Sequence, residues 1–169
     1  MQNSCFEIRE IREQDNHRLA EIIRNTLVEF GANKPGTVYY DASTDRLSEV
    51  FKMDNSTYFV ASIDGEIAGG AGIYPSAGLP HDTCELVKMY LLPQARGKGL
   101  GRELLGRCIV FASETGYRHI YLETMPELYL AIALYEKYGF SRLTAPLGNT
   151  GHSGCDIWMI RDIESGDEK

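Results

Sequence analysis

A chain of 169 residues fits one domain and is long enough to bury a core without help from disulfides or metals. With 43% hydrophobic and 24% charged residues, its composition excludes both a disordered and a fibrous protein. The net charge of −7 argues against general nucleic-acid binding, which needs a basic surface, and is compatible with a cationic ligand.

No apolar run reaches the roughly 18–20 residues of a membrane span, and residues 1–13 are too polar for the core of a signal peptide. The expectation is a cytoplasmic protein that engages no membrane. Cys5, Cys84, Cys108 and Cys155 are far apart and read as small buried apolar residues rather than a disulfide framework.

Residues 6–13 alternate apolar and polar and predict a first strand. Asp15 is placed to cap the helix that follows, where Leu19, Ile22, Ile23, Leu27 and Phe30 recur at helical spacing and Gly31 ends the run. Residues 32–40 read as a loop and 44–52 as a short helix. Two β-rich runs, 56–63 and 66–74, flank Asp64-Gly65 and predict a hairpin. Gly69, Gly70 and Gly72 in its second strand imply close approach by other backbone or by a ligand.

A strand at 84–92 stops at Pro93. Residues 97–115 carry an apolar helical face through Leu100, Leu104, Leu105, Cys108, Ile109 and Ala112, with Gly116 as the stop. Residues 118–125 form another strand. Pro126 opens a helix bearing Ala131, Leu134, Tyr135 and Tyr138 that ends at Gly139. Two last strands, 141–147 and 156–163, flank a Gly-rich loop at 148–154, and 164–169 reads as a frayed tail. The order β-α-α-β-β-β-α-β-α-β-β predicts an α/β (α+β) fold, one domain over 1–163 with a mixed sheet and helices on both faces.

The segment CELVKMYLLPQARGKGLGRELL, residues 84–105, carries the most chemistry. A strand enters a Gly-rich turn that opens a helix, where unpaired N–H groups and the positive dipole end converge. Gly97, Gly99 and Gly101 keep side chains away from that point, and Arg96 and Lys98 add positive charge. This is a phosphate or pyrophosphate cradle; the bland alternative is a helix that happens to begin after glycines. The spacing is neither that of a Walker A loop, since Gly99 follows Lys98, nor the G-x-G-x-x-G of a dinucleotide fingerprint.

Gln94-Ala95-Arg96-Gly97-Lys98-Gly99 resembles the Q/R-x-x-G-x-G/A signature of the GNAT superfamily of acetyl-CoA-dependent N-acyltransferases. The DGEIAGGAGIY hairpin, the strand ending at Pro93 and LYEKYGF at 134–140 are similar to GNAT segments in their usual order, so the likeness covers about residues 56–140. It implies a GNAT-like twisted mixed sheet of about seven strands, splayed between 84–92 and 118–125. It implies acetyl-CoA as acyl donor, with backbone at Met89, Tyr90 and Leu91 pairing with the pantetheine arm and N–H groups from Gln94 through Arg96, Gly97, Lys98, Gly99 and Leu100 to Gly101 holding the pyrophosphate. Acetyl would pass to a primary amine of a small molecule or peptide by direct attack. Many members of the family place an asparagine on the helix before the position of Tyr135, near the cofactor; Ala131 and its neighbours provide none.

Acyl transfer to an amine needs an unprotonated nitrogen, a polarised carbonyl and a proton for the departing thiolate. Glu85, near the start of the cofactor strand, is the candidate base, acting directly or through a water. On the strand it shares a face with Val87, Met89 and Leu91, where desolvation would raise its pKa. An ordinary edge carboxylate is the alternative. Tyr135 stands where the resemblance implies the acid, Tyr138 is its packing partner, and simple packing is the alternative for Tyr135 as well.

Glu123 is a candidate contact for a cationic acceptor, and Tyr39, Tyr40 and His152 come from loops expected to border the acceptor. A solvated strand residue and a flexible hairpin loop are the alternatives. The pairs His81/Cys84 and His152/Cys155 repeat H-x-x-C, but they precede strands expected not to be neighbours, so no metal is assigned. A regulatory module that binds acyl-CoA without turnover is the competing function, and homodimers are common among relatives although no residue here specifies one.

Overall fold

Alternation in FEIRE forms strand β1 (Phe6–Glu10), shorter than the run predicted. The computed structural model describes residues 5–164 and 167. Helix α1 (Asn16–Glu29) follows, burying Leu19, Ile22, Ile23 and Leu27. Asp15 does not cap it with its side chain. The carboxylate accepts instead from the Arg12 N–H at 2.7 Å and from the Arg9 guanidinium at 2.7 and 2.9 Å, tying β1 to the turn before α1. The predicted second helix is mostly a 3-10 turn at Ala42–Arg46, with one α-helical turn, α2 (Leu47–Val50), behind it.

Strands β2 (Thr57–Ile63) and β3 (Glu66–Tyr74) form the expected hairpin. Both tip residues have positive φ, 51° at Asp64 and 86° at Gly65, the conformation that suits a two-residue hairpin turn. The glycines of β3 make room for protein rather than ligand. A Cβ on Gly69 would lie 2.0 Å from the Tyr90 carbonyl oxygen, and one on Gly72 would strike the rings of Tyr58 and Phe51. The remaining elements are β4 (Thr83–Leu91), α3 (Leu100–Thr115), β5 (His119–Thr124), α4 (Tyr129–Lys137), β6 (Ser141–Leu143) and β7 (Ile157–Asp162). Pro126 opens a 3-10 turn ahead of α4. The strand predicted at 141–147 stops at Leu143, where the chain departs into a long loop.

These strands make one seven-stranded sheet in the order β1-β2-β3-β4-β5-β7-β6, all antiparallel except β4 with β5. Its two faces bury two cores. On one, α3 and α4 pack over Ala71, Ile73, Cys84, Leu86, Ile120 and Leu122. On the other, α1 and Leu47 pack over Tyr58 and Val60. The mixed sheet with helices on both faces is therefore as expected. Among the described residues no helix is long and apolar enough to cross a membrane.

The predicted frayed tail lies mainly outside the described residues. Of it, Asp167 accepts from Arg161 at 2.9 Å and from the Glu164 N–H at 2.8 Å.

Candidate active site

Strands β4 and β5 pair over only three residues, Thr83–Glu85 against His119–Tyr121, and then diverge. Past that fork, no strand among the described residues lies beside the β5-facing edge of β4 from Leu86 to Leu91. A cleft of about 550 Å³ opens there, bounded by β4, the end of β5, α4 and the loops at Val38 and His152. The splay predicted between these two strands is present, and it is where the chain's chemistry-bearing residues gather.

A bulge shapes the cleft. Lys88 has φ 49°, and the register between β3 and β4 slips there, with Gly70 opposite Tyr90 but Gly72 opposite Val87. The expected common face for Glu85, Val87, Met89 and Leu91 is thereby broken. Met89 and Leu91 pack with Cys84 and Leu86 on the α3 side, whereas Tyr90 joins the α1 side. Lys88 reaches Asp41, 3.1 Å away, instead of solvent. The Tyr58 hydroxyl donates to the Lys88 carbonyl at 2.8 Å and stabilises the distortion.

At the far end of β4, Gly97 and Gly99 have φ of 71° and 85°, and a Cβ on either would meet no atom within 4 Å. Their space is open, so the positive φ is what requires glycine. The N–H groups of Gly97, Lys98 and Gly99 have no acceptor among the described residues, and those of the first turn of α3 add to them. Open space, unpaired donors and a helix start are what a pyrophosphate needs, so the residues fit the acyl donor that the resemblance implies.

The side chains of this turn divide. Lys98 and Gln94 are exposed and both outside the cleft lining, and Leu100 is buried in the core. Arg96 lines the cleft, but its guanidinium is already engaged by protein groups. It donates to the Glu29 carboxylate at 2.7 and 2.8 Å and to the Leu91 carbonyl at 3.0 Å, and it lies 5.0 Å over the Phe30 ring. Arg96 thus braces the loop, and the Leu91 carbonyl is already engaged.

At the fork itself Glu85 is 3% exposed. Burial pushes its carboxyl up to about 7, opposed by the Ser76 hydroxyl that donates to it and reinforced by the charge of Glu123. Glu123 accepts from the Tyr121 hydroxyl at 2.8 Å and the Thr150 hydroxyl at 2.6 Å. His152 meets Asp41 at 2.9 Å. One ligand-type atom from each of Glu85, Glu123 and His152 falls within 4.8 Å of the others. A group of this kind can hold a metal ion; here each member is also hydrogen-bonded to a neighbouring side chain. The two H-x-x-C pairs do not converge: Cys84 is buried with its thiol toward the His119 carbonyl, and His81 is exposed.

Tyr135, on α4, is 6% exposed, packs against Phe140 at 5.7 Å and lines the cleft beside Leu134 and Tyr138. Its hydroxyl has no hydrogen-bond partner among the described residues, and burial pushes its pKa well up. Tyr39 and Tyr40 do not line the cleft. Tyr39 packs into the α1 core and Tyr40 is 62% exposed, the two rings meeting edge to face, while Thr37 and Val38 take the lining positions.

The loop 148–154 is docked backbone to backbone. Gly154 donates to the Gly36 carbonyl at 2.9 Å, and Asn149 donates to the Ala77 carbonyl at 3.0 Å. Added Cβ atoms on Gly148 or Gly154 would collide with Gly78 or Pro35. Asp41, Ser76, Lys88 and Thr150 were not legible as site residues; an acid closing the Tyr39-Tyr40-Asp41 turn and a lysine inside an apolar strand were the available signals.

The model of the acetyltransferase (GNAT) family matches residues 17–140. A protein of Escherichia coli (strain K12), named as the uncharacterized N-acetyltransferase YjgM, is 42% identical over 158 residues, covering 92% of this chain and 94% of that one. Among solved structures, a GNAT-family acetyltransferase from Staphylococcus aureus Mu50 superposes with a TM-score of 0.83 at 19% identity, covering 95% of this chain and all of that one. YncA of Salmonella typhimurium, described as a putative acetyltransferase with its cofactor acetyl-CoA, gives 0.73 at 20% identity, covering 95% of each chain.

Proposed function

The chain belongs to the GNAT acetyltransferase family, and from that premise we propose that it transfers acetyl from acetyl-CoA to an amine, with Glu85 as base and Tyr135 as acid. The observation that carries this reading is the single cleft that joins the unpaired N–H groups of the Gly97–Gly99 turn to the buried Glu85 carboxylate.

The thioester supplies an electrophilic carbonyl and a thiol leaving group. Gly97, Lys98, Gly99 and the first turn of α3 bind the pyrophosphate, and the open edge of β4 around Met89 and Tyr90 guides the pantetheine arm. Glu85, with a pKa near neutrality, takes a proton from the ammonium of the acceptor, directly or through a water. The freed nitrogen attacks the carbonyl carbon, the C–N bond forms, and the C–S bond breaks. Tyr135 gives its proton to the departing sulfur. A tyrosine with a raised pKa stays protonated at neutral pH and is ready to do so. The second proton that the nitrogen sheds as it becomes an amide passes to the tyrosinate, and Glu85 returns its own proton to solvent.

The acceptor is a small-molecule or peptide amine that enters between Val38 and the 148–154 loop. Glu123, fixed by two hydroxyl donors, holds its ammonium form before deprotonation. A regulatory module without turnover would not require a buried carboxylate poised near neutrality.

Calorimetric titration with acetyl-CoA and with CoA, followed by an amine screen read by thiol release, tests the proposal. Donor binding together with an amine-dependent thiol release that Glu85→Gln abolishes is the expected result. Donor binding with no release for any amine class would favour the regulatory reading, and no binding would overturn both.

A further inference from the structure

Two carboxylates, Glu85 and Glu123, stand together at the fork of β4 and β5, and Glu85 is almost wholly buried. Like charges so placed disfavour having both ionised unless a cation faces them. The two cations within reach differ. Lys88 is on β4 with Glu85, but its ammonium is turned to Asp41, 3.1 Å away. His152 comes from the loop between β6 and β7; its imidazole meets Asp41 at 2.9 Å and also falls within 4.8 Å of both glutamates. The loop that carries it is docked on residues 36 and 77 by backbone hydrogen bonds, so His152 is held in place there rather than visiting.

We propose that His152, gripped by Asp41, is a positioning residue that supplies the countercharge keeping Glu85 ionised beside Glu123. This deepens, and rests on, the base role proposed for Glu85. Asp41 raises the proton affinity of the imidazole by accepting its N–H, with Glu85 adding to the effect, while burial and Lys88 oppose it. Asp41 itself is held down to about 2, so it stays anionic across the working range. Around Glu85 the groups that act are Glu123 of β5, which raises its pKa, and His152 and Lys88, which lower it, together with the Ser76 hydroxyl; Tyr121, paired across on β5, and the Cys155 thiol stay neutral because burial raises both. The acceptor loop thus sets the protonation state of the base and does more than border the substrate.

The experiment is a carbon-detected NMR titration of the glutamate carboxyls, with the Glu85 signal assigned by Glu85→Gln, run beside the pH profile of kcat/KM. His152→Gln keeps a hydrogen-bond donor for Asp41 but removes the charge. It is expected to raise the Glu85 midpoint on the order of one pH unit and to move the acid limb of kcat/KM up equally. Adding Glu123→Gln, which removes the like charge, is expected to bring the midpoint back down. Asp41→Asn, which lowers the proton affinity of His152 and leaves the ring in place, is expected to act in the same direction as His152→Gln and guards against a collapsed loop. An unmoved Glu85 midpoint in both His152→Gln and Asp41→Asn would overturn the proposal. A midpoint that moves while the kinetic limb does not would uphold the countercharge and sink the base role of Glu85.

Discussion

Arg96 and Glu29 are joined by two hydrogen bonds of 2.7 and 2.8 Å, so the arginine of the Gly-rich loop lines the cleft with its guanidinium clamped to the end of α1. The same guanidinium reaches the last carbonyl of β4 and covers Phe30. Arg96→Ala should therefore destabilise the fold by about 1–2 kcal/mol, since it removes a bidentate pair, a backbone bond and a cation–π contact together. Lys98→Ala, at an exposed position outside any ion pair among the described residues, should leave stability within about 0.5 kcal/mol and weaken donor binding a few-fold. Denaturant curves beside calorimetric titrations separate the two effects.

Gly99 and Gly106 make a matched pair for testing the turn. Neither would bring an added Cβ within 4 Å of another atom, but Gly99 has φ 85° and Gly106 lies inside α3. Gly99→Ala should cost about 1–2 kcal/mol and weaken acetyl-CoA binding. Gly106→Ala should stabilise by about 0.5–1 kcal/mol with binding unchanged. Equal effects at the two sites would contradict a conformational role for the turn.

Glu85 links stability to pH. Its folded pKa, about 7, lies above the ordinary value of 4.5, so the folded state binds the proton more tightly than the unfolded chain. Burying the ionised form is unfavourable above pH 7, and the penalty fades as pH falls toward 4.5. Glu85→Gln should then stabilise the protein by about 1–3 kcal/mol at pH 8 and by little at pH 4. Thermal unfolding across that window reads the difference directly, and a gain that grew on acidification would show the carboxyl to be ionised and favourably partnered.

Tyr135→Phe removes a hydroxyl that has no partner among the described residues, and keeps the ring against Phe140. Stability should change by less than about 1 kcal/mol. If the hydroxyl protonates the leaving thiolate, kcat should fall about 100-fold or more, with acetyl-CoA affinity preserved. A loss confined to KM would reassign Tyr135 to cofactor packing.

Ser76→Ala tests the other partner of the base. The hydroxyl donates to Glu85 and lowers its pKa. Its loss should raise the acid limb of the pH–rate profile without abolishing turnover at alkaline pH, a pattern unlike that of Glu85→Gln, which should be low throughout.

What depends on neighbours in the chain was legible in the residues alone. The DG tip of the β2–β3 hairpin, the helix stops at Gly31, Gly116 and Gly139, and the strand–turn–helix at residues 84–105 rest on φ preferences and on periods of two or 3.6, which short windows contain. Their ends were less legible: residues 144–147 continue the pattern of β6, yet they leave the sheet because the next stretch docks elsewhere. The wiring of the site came from contacts between distant segments. Nothing local announces the bulge at Lys88, which breaks the alternation that would have put Met89 on the face of Glu85. Arg96 pairs with Glu29, and His152 with Asp41, because the sheet brings distant segments to one edge. Charge and hydrogen bonding act through space over a few ångströms, and which charges are neighbours is a property of the fold.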